Sequence, residues 1–428
     1  MKFFKQFDLY YFITLLFILL SSAANILATS DVAWFIILLF FFAVAISRKQ
    51  LLVKDIRNIA VFSVVYVVFI SVRDIAINNL ASEYIISDCV FLFKYIYLAF
   101  IYCIIMREKA AAYIVKVIAH LTVISLFFFL IQLTSLREYL FNFSRTLNLQ
   151  PSYYGGGYSN FIIFTYVKNL HDYRNAGFSW EPGAFSCFLI VALLLNLILN
   201  NLKFEKKSYL FIIAIITTLS TTGYLALMIL LLLVYRYKVP NILSLRAVLL
   251  LLIIVIAGAA FVYIPILGDK ILGTYYEDMD DLRRLKYLDI FYRRKNEQIP
   301  LNRFASMVYI YDSFGWQLIL GVSNKYDVIA NSKFSVNISN GVFDFLAKFG
   351  LIGLGGLVYR FGKFCMDNLK NHEFTIYCVA ALLVMGFGEP TLFLPIVLIF
   401  IFLPAEQLNL LNHTQRRKKA LAAVLANK

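Results

Sequence analysis

The chain has 428 residues, 61% of them hydrophobic and only 15% charged, with a mean hydropathy of +0.77. Soluble domains are about half apolar and about a quarter charged, so the composition excludes a soluble globular protein and points to an all-α polytopic membrane protein. The net charge of +15 does not imply nucleic-acid binding unless it gathers on one folded face, and its distribution reads as a topology signal.

A helix needs about 20 apolar residues to cross a bilayer. About twelve candidate spans follow in chain order, near 9–28, 32–47, 58–73, 89–106, 113–134, 183–200, 208–220, 223–235, 246–265, 341–359, 374–388 and 391–408. The first apolar run continues to Leu27 without a small-residue cleavage pattern, so a retained first helix is expected rather than a cleaved signal. With the N-terminus inside and the spans alternating, the inside segments collect Lys2 and Lys5, then Arg48 to Arg57, Arg107 and Lys109. They also collect Lys203 to Lys207, Arg236 to Arg246, Arg360 to Lys370 and the Arg416–Lys419 run. The short outside turns near Thr29, Thr221 and Glu389 carry no Lys or Arg. Both termini are therefore expected in the cytoplasm. The five cysteines fall in or beside the spans with no CxxC pair, which suggests packing roles.

Two outside segments are long, at 135–182 and 266–340, and a chain that invests so much on one side is expected to work there. The first holds "PSYYGGGYSN", Pro151 to Asn160. It reads either as a mobile loop or as an aromatic lid that contacts sugar. The second opens with "YYEDMDDLRRLKYLDIFYRRKNE", Tyr275 to Glu297, with apolar residues at three- and four-residue steps. An amphipathic helix is expected there, lying on the interface or capping the spans. Its Glu277, Asp278, Asp280 and Asp281 suit a helix start, or else a divalent cation. Between the two loops, "TTLSTTGYLALM", Thr217 to Met228, interrupts an apolar stretch with basic residues at both ends. Parity then demands a hairpin with arms of only about 14 residues, and a turn set inside the outer part of the membrane against a protein-lined or wet cavity.

The densest chemistry lies in "YRNAGFSWEPG", Tyr173 to Gly183. Pro182 fits the first position of a helix, which places Glu181 at the N-cap beside the positive helix end. That alone describes an interfacial tryptophan, Trp180, and a capped helix start. Arg174, seven residues earlier across Gly177, offers a second reading. A loop folded back would bring a guanidinium suited to phosphate and a carboxylate suited to a sugar hydroxyl to one cavity mouth.

"RNAGFSWEPGAF" resembles the arginine–glycine–Glu-Pro motif of the Wzy-type O-antigen and capsular polysaccharide polymerases. In the same order, "LSTTGYLALMILLL" resembles that family's Ser/Thr-Gly helix turn. "NRFASMVYIYDSFGWQLILGVSNKY" resembles its large-loop segment, and "SNGVFDFLAKFGLIGLGGL" the following helix with Gly-rich packing. The resemblance covers roughly residues 160–360. It implies polymerisation of undecaprenyl-pyrophosphate-linked oligosaccharide repeats at the outer face of a bacterial inner membrane. The growing chain would be the donor and a single lipid-linked repeat the acceptor. Neither a metal nor any other cofactor is implied, and a chain-length regulator is the implied protein partner. Carried onto this chain, Arg174 and Arg303 would hold the departing pyrophosphate, and Glu181 would deprotonate or only orient the acceptor hydroxyl. A helix N-terminus lowers a carboxylate's pKa, which opposes the base role. Tyr173, Trp180, Lys94, Asn340 and His171 are candidate substrate contacts. His171 is also a possible base or simply a solvated loop residue. Lys94, a charge inside the fourth span, would face the pyrophosphate or snorkel to the interface. Glu389-Pro390 repeats the Glu-Pro pattern and is expected to be a structural turn or to line the cavity.

The related O-antigen ligases carry His-Asn where this chain has Ser339-Asn340, which puts ligase activity in doubt. A flippase would place cations along the middle of its spans, where only Lys94 comes close. A bland scaffold would need neither the broken hairpin nor the Trp-Glu-Pro edge.

Overall fold

The computed structural model describes all residues except 1–7, 79–81, 148, 150, 152–156, 170, 239–272, 274, 281, 284–297, 328–334 and 404–428. The described chain is mostly helical: α1 Leu9–Ser21, α2 Ile26–Thr29, α3 Asp31–Ser47, α4 Val53–Ile77, α5 Ser82–Phe91, α6 Tyr97–Met106, α7 Ala110–Gln132 and α8 Arg137–Leu147. Then follow α9 Pro182–Leu199, α10 Lys206–Thr218, α11 Thr221–Lys238, α12 Arg303–Phe314, α13 Gly341–Leu369, α14 His372–Gly388 and α15 Pro395–Phe402.

Four helical runs among these residues are long and apolar enough to cross a membrane: α4, the Ser82–Gln132 run, α9 and α13. Helices α1, α3 and α14 are shorter and also apolar. The molecule is thus a helical membrane protein. The expected ninth span, 246–265, lies outside the described residues, as does the chain after Leu403. The expected first span breaks early. Ser21, Ser22 and Asn25 bond the carbonyls of Phe17 and Leu19 (2.8, 2.7 and 3.1 Å), drawing the chain out of the helix.

Helix α9 is apolar on every side, and 94% of its span is buried, against 17% for α4. A helix with no polar face belongs at the centre of a bundle, and α9 packs there against α7, α10, α11 and α14. Helix α4 instead turns Val61, Val64, Val65, Val68 and Val72 outward. In a membrane, that face meets lipid.

The α10–α11 hairpin forms as expected, turning at Leu219 in the left-handed region (φ 47°) and at Ser220. Thirteen residues of α10 rise about 20 Å, less than the hydrocarbon thickness of about 30 Å.

The all-α expectation needs one correction. Strands β1 Tyr158–Asn160 and β2 Thr165–Val167 form an antiparallel pair, and β3 Gln298–Leu301 and β4 Ser335–Ile338 a parallel one. The first pair draws the end of the tyrosine–glycine segment into structure, with the Tyr158 hydroxyl donating to the Ala24 carbonyl at 2.9 Å. The second joins segments too far apart for local periodicity to reveal. With α12 it forms a small cap whose core holds Leu301, Ala305, Ile310, Val322, Val336 and Ile338. The start of the expected amphipathic helix is helical at 275–280, and 284–297 lies outside the described residues. Asp278 accepts from the Phe304 amide at 2.9 Å. It therefore caps α12 from another segment.

The cap is locked to the bundle at two glycines. Gly350 breaks α13 with φ 69°, and Gly321 in the cap has φ 81°. Their backbones touch, and a Cβ on either would collide with the other segment.

Candidate active site

Pro182 opens α9, and Glu181 is its N-cap in extended conformation (φ −153°, ψ 163°). The position is the expected one, but the side chain does not cap the helix. Instead the Glu181 carboxylate accepts from Trp180 Nε1 at 2.8 Å and is hydrogen-bonded to the carboxyl of Glu389. Gly183, in the first turn of α9, has no side chain, and a Cβ there would fall on the Glu389 carboxyl. That bare backbone lets a second carboxyl reach the helix start.

Glu389 is the residue the sequence reading undervalued. It terminates α14 and is buried, and its Oε1 accepts from Arg303 Nη2 at 3.1 Å. Arg303 opens α12, and its Nε also donates to the Gly388 carbonyl at 2.8 Å. The C-terminal end of α14 is therefore a wall of the candidate site and not merely a turn. The repeated Glu-Pro dipeptide was the signal for it.

Arg174 comes from the loop before α9. Its Nε donates to the Thr218 carbonyl in the hairpin turn at 3.2 Å. Its guanidinium lies in the field of Glu181, Glu389 and Arg303. The loop is pinned by residues that no sequence pattern singled out. Gln132 Nε2 donates to the carbonyls of His171, Asp172 and Arg174 (2.7, 3.0 and 3.2 Å). The Asn175 amide donates to the Thr217 carbonyl at 3.0 Å, while its side-chain oxygen accepts from Ser125 Oγ at 2.7 Å. Buried polar groups that satisfy a loop's backbone fix its shape.

The electrostatics separate the two carboxyls. Burial pushes Glu389 well above the usual carboxylate range, and the Glu181 charge pushes it further despite Arg303. Burial also acts to raise Glu181, but the hydrogen bonds from Glu389 and Trp180 and the Arg303 charge outweigh it, so Glu181 lies below its ordinary value. Glu389 thus holds its proton to higher pH than Glu181 does, and the two titrate as a coupled pair. Burial pulls Arg174 down from its ordinary value, with Arg303 adding to the shift and the two carboxyls opposing it. A guanidinium is not deprotonated in proteins, so the cost appears as a demand for a nearby anion. Two guanidiniums face two carboxyls that titrate apart.

The other candidate residues divide. His171 is buried, not solvated, and lies close enough for its charge to act on Glu181. Tyr173 is exposed at the surface. Asn340 is buried and caps α13, accepting from the Val342 and Phe343 amides (both 3.2 Å) while donating to the Arg303 carbonyl at 3.1 Å. It positions Arg303 rather than presenting a free amide. Lys94 stands apart: its Nζ pairs with Asp31 at 2.8 Å and lies over the Trp34 and Tyr95 rings. No described contact joins Lys94 to the Arg174 cluster. Among the described residues, no three His, Cys, Asp or Glu side chains group as a metal site.

A cavity of about 910 Å³ lies elsewhere, between α4, α6, α13 and α15, and none of the candidate residues lines it. No protein-family model matches this chain, and no curated protein or solved structure matches it either.

Proposed function

We propose that the protein is a Wzy-type polymerase of the bacterial inner membrane. It would join undecaprenyl-pyrophosphate-linked oligosaccharide repeats at the outer face through a twelve-span fold with both termini in the cytoplasm. The observation that carries this reading is the convergence of Arg174, Glu181, Arg303 and Glu389 from three separate segments at one end of α9. Their paired guanidiniums suit a phosphate-bearing substrate, and their carboxylate suits a sugar hydroxyl.

In the proposed reaction the acceptor hydroxyl attacks the anomeric carbon of the growing chain. The new glycosidic bond forms as the carbon–oxygen bond to pyrophosphate breaks, and undecaprenyl pyrophosphate departs with the bonding electrons. Arg174 and Arg303 stabilise the charge that grows on it, a contribution that increases toward the transition state. Glu181, ionised and accepting, orients the acceptor hydroxyl and takes its proton as the bond forms. Glu389 keeps that carboxylate fixed by donating to it, and Trp180 holds its other side. A depressed pKa makes Glu181 a weak base, so orientation carries more of its role than proton abstraction. No step calls for a metal.

A flippase or a ligase remains the competing assignment, and deletion of the gene separates the three. A polymerase deletion leaves undecaprenyl carriers capped with single repeats at the outer face and no glycan ladder. Long lipid-linked chains accumulating would indicate a ligase. Single repeats confined to the inner leaflet would indicate a flippase.

A further inference from the structure

The cavity between α4, α6, α13 and α15 has walls of one chemistry and a mouth of another. Phe62, Phe69, Phe100, Phe349 and Phe402 line its length. From Leu52 to Phe69 it follows α4 for about 25 Å, most of the thickness of a hydrocarbon core. One end is charged. Lys54 from the start of α4, Arg107 from the end of α6 and Arg360 from α13 line it, against the single acid Asp55. These residues lie on the side that the Lys/Arg distribution makes cytoplasmic.

The two arginines are held in place. Arg360 donates Nε and Nη2 to the Ile401 carbonyl at the end of α15 (3.1 and 2.5 Å). Arg107 donates Nη2 to the Gln50 carbonyl at 2.6 Å and sits 3.8 Å from Asp55. Each guanidinium has further N–H groups beyond these bonds.

The floor of the trough is bare backbone. Gly356 lines it, and a Cβ added there would meet nothing within 4 Å. The run Gly353 to Gly356 resembles a helix-packing motif in sequence, yet this glycine packs against no neighbouring side chain. Glycine inside a helix costs about 1 kcal/mol relative to alanine. No side chain packs against this position, so the trough is open there.

We infer that this trough is a binding site for an anionic phospholipid of the cytoplasmic leaflet, with its acyl chains against the phenylalanine walls and its phosphate at Lys54, Arg107 and Arg360. The apolar length matches acyl chains, the net positive mouth matches a phosphate, and basic pockets between spans on the cytoplasmic side bind anionic headgroups. This site lies away from the Arg174 cluster and does not depend on the polymerase reading.

The test is native mass spectrometry of the full-length protein, delipidated, reconstituted into vesicles of equal phosphatidylglycerol and phosphatidylethanolamine, and re-extracted in mild detergent. The wild type is expected to retain phosphatidylglycerol in preference. Gly356→Phe, which fills the trough, should lower retention about tenfold. Gly355→Phe serves as the fold control. Its position also has open space within 4 Å but does not line the trough, and its retention should match wild type. Arg107→Gln with Arg360→Gln should abolish the preference for phosphatidylglycerol while leaving some lipid bound. Equal retention by Gly356→Phe and wild type would overturn the proposal. So would a wild type that retains no lipid, because the trough would then be filled by the chain's own residues. A double variant that still prefers phosphatidylglycerol would overturn the headgroup assignment.

Discussion

Arg73 and Arg174 each bring a guanidinium to the end of a helix, and their surroundings differ in kind. Arg73 is fully buried near the end of α4. Its Nε and Nη2 donate to Asp74 (3.1 and 3.0 Å), its Nη2 also to Asp88, and its Nη1 to the Lys348 carbonyl at 3.0 Å. Ser323 and Asn78 donate to the same carboxylates at 2.8 Å. Every guanidinium nitrogen is engaged, against two buried carboxyls. The result is a clasp that holds the Gly321–Ser323 turn of the cap and the break at Gly350 onto α4 and α5. Arg174 is only partly buried, is held by a single described side-chain bond through Nε, and sits beside a second guanidinium and two carboxyls whose pKa values are pushed apart. A cluster in which every guanidinium nitrogen is engaged specifies structure, whereas paired guanidiniums beside carboxyls of split pKa mark a candidate functional site.

The largest expected effect falls on the clasp. Arg73→Met strands two buried carboxylates, which costs about 3–5 kcal/mol. The protein should lose its cooperative melt and its monodisperse elution in detergent. Adding Asp88→Asn should recover part of that loss. If Arg73→Met melts normally but makes no polymer, the distinction between the clusters collapses.

Arg174→Ala should do the reverse. Its melt should stay near wild type, while chain extension falls about 10²–10³-fold, as for loss of one donor to a developing anion. The readout is the ladder made from lipid-linked repeats. Arg303→Lys should be nearly as damaging, because an ammonium lacks the fork that reaches Gly388, Glu389 and a phosphate together.

The carboxyl pair sharpens the comparison through pH. The folded protein keeps a proton on Glu389 that the unfolded chain releases near the ordinary 4.5. That contribution to stability is complete below 4.5 and is lost as pH rises through the raised folded value. Glu181 has the opposite sign. Its contribution is present above 4.5 and is lost as pH falls through its lowered value. Melting scans of wild type should therefore decline on the alkaline side. Glu389→Gln, which mimics the protonated acid, should flatten that limb. An unchanged alkaline limb would contradict the raised Glu389 value.

Smaller effects follow from the supports. Asn340→Ala removes a helix cap and a bond to the Arg303 carbonyl, at a cost of about 1 kcal/mol. Its extension rate should fall more than its melt suggests. Lys94→Met removes a pair whose aspartate is mostly exposed, worth about 0–1 kcal/mol, and should leave extension unchanged. A hundredfold loss would return Lys94 to the site.

How far each feature could be read from the sequence follows from how local its cause is. Pro182 and Glu181 announce the start of α9 because helix starts obey short-range rules, and the α10–α11 hairpin follows from span length and charge parity alone. Arg174, Glu181 and Arg303 could be picked out by their motifs. Glu389 could not be weighed, because its burial depends on Gly183 lying opposite it in another helix. The Arg73 clasp was invisible for a related reason: its bond to Lys348 joins residues 275 positions apart. The pairing of Lys94 with Asp31 is equally hidden, because Asp31 lies in a different helix. The parallel β3–β4 pair and the break at Gly350 likewise arise from contacts between the cap and the bundle.

The most direct test of the central claim uses purified protein in vesicles supplied with lipid-linked single repeats extracted from the deletion strain. Product length and released undecaprenyl pyrophosphate are measured together. The wild type should build a ladder and release one undecaprenyl pyrophosphate per linkage formed, and Arg174→Ala should do neither at a comparable rate. A wild type that builds no ladder, or an Arg174→Ala protein that builds it equally well, would contradict the account.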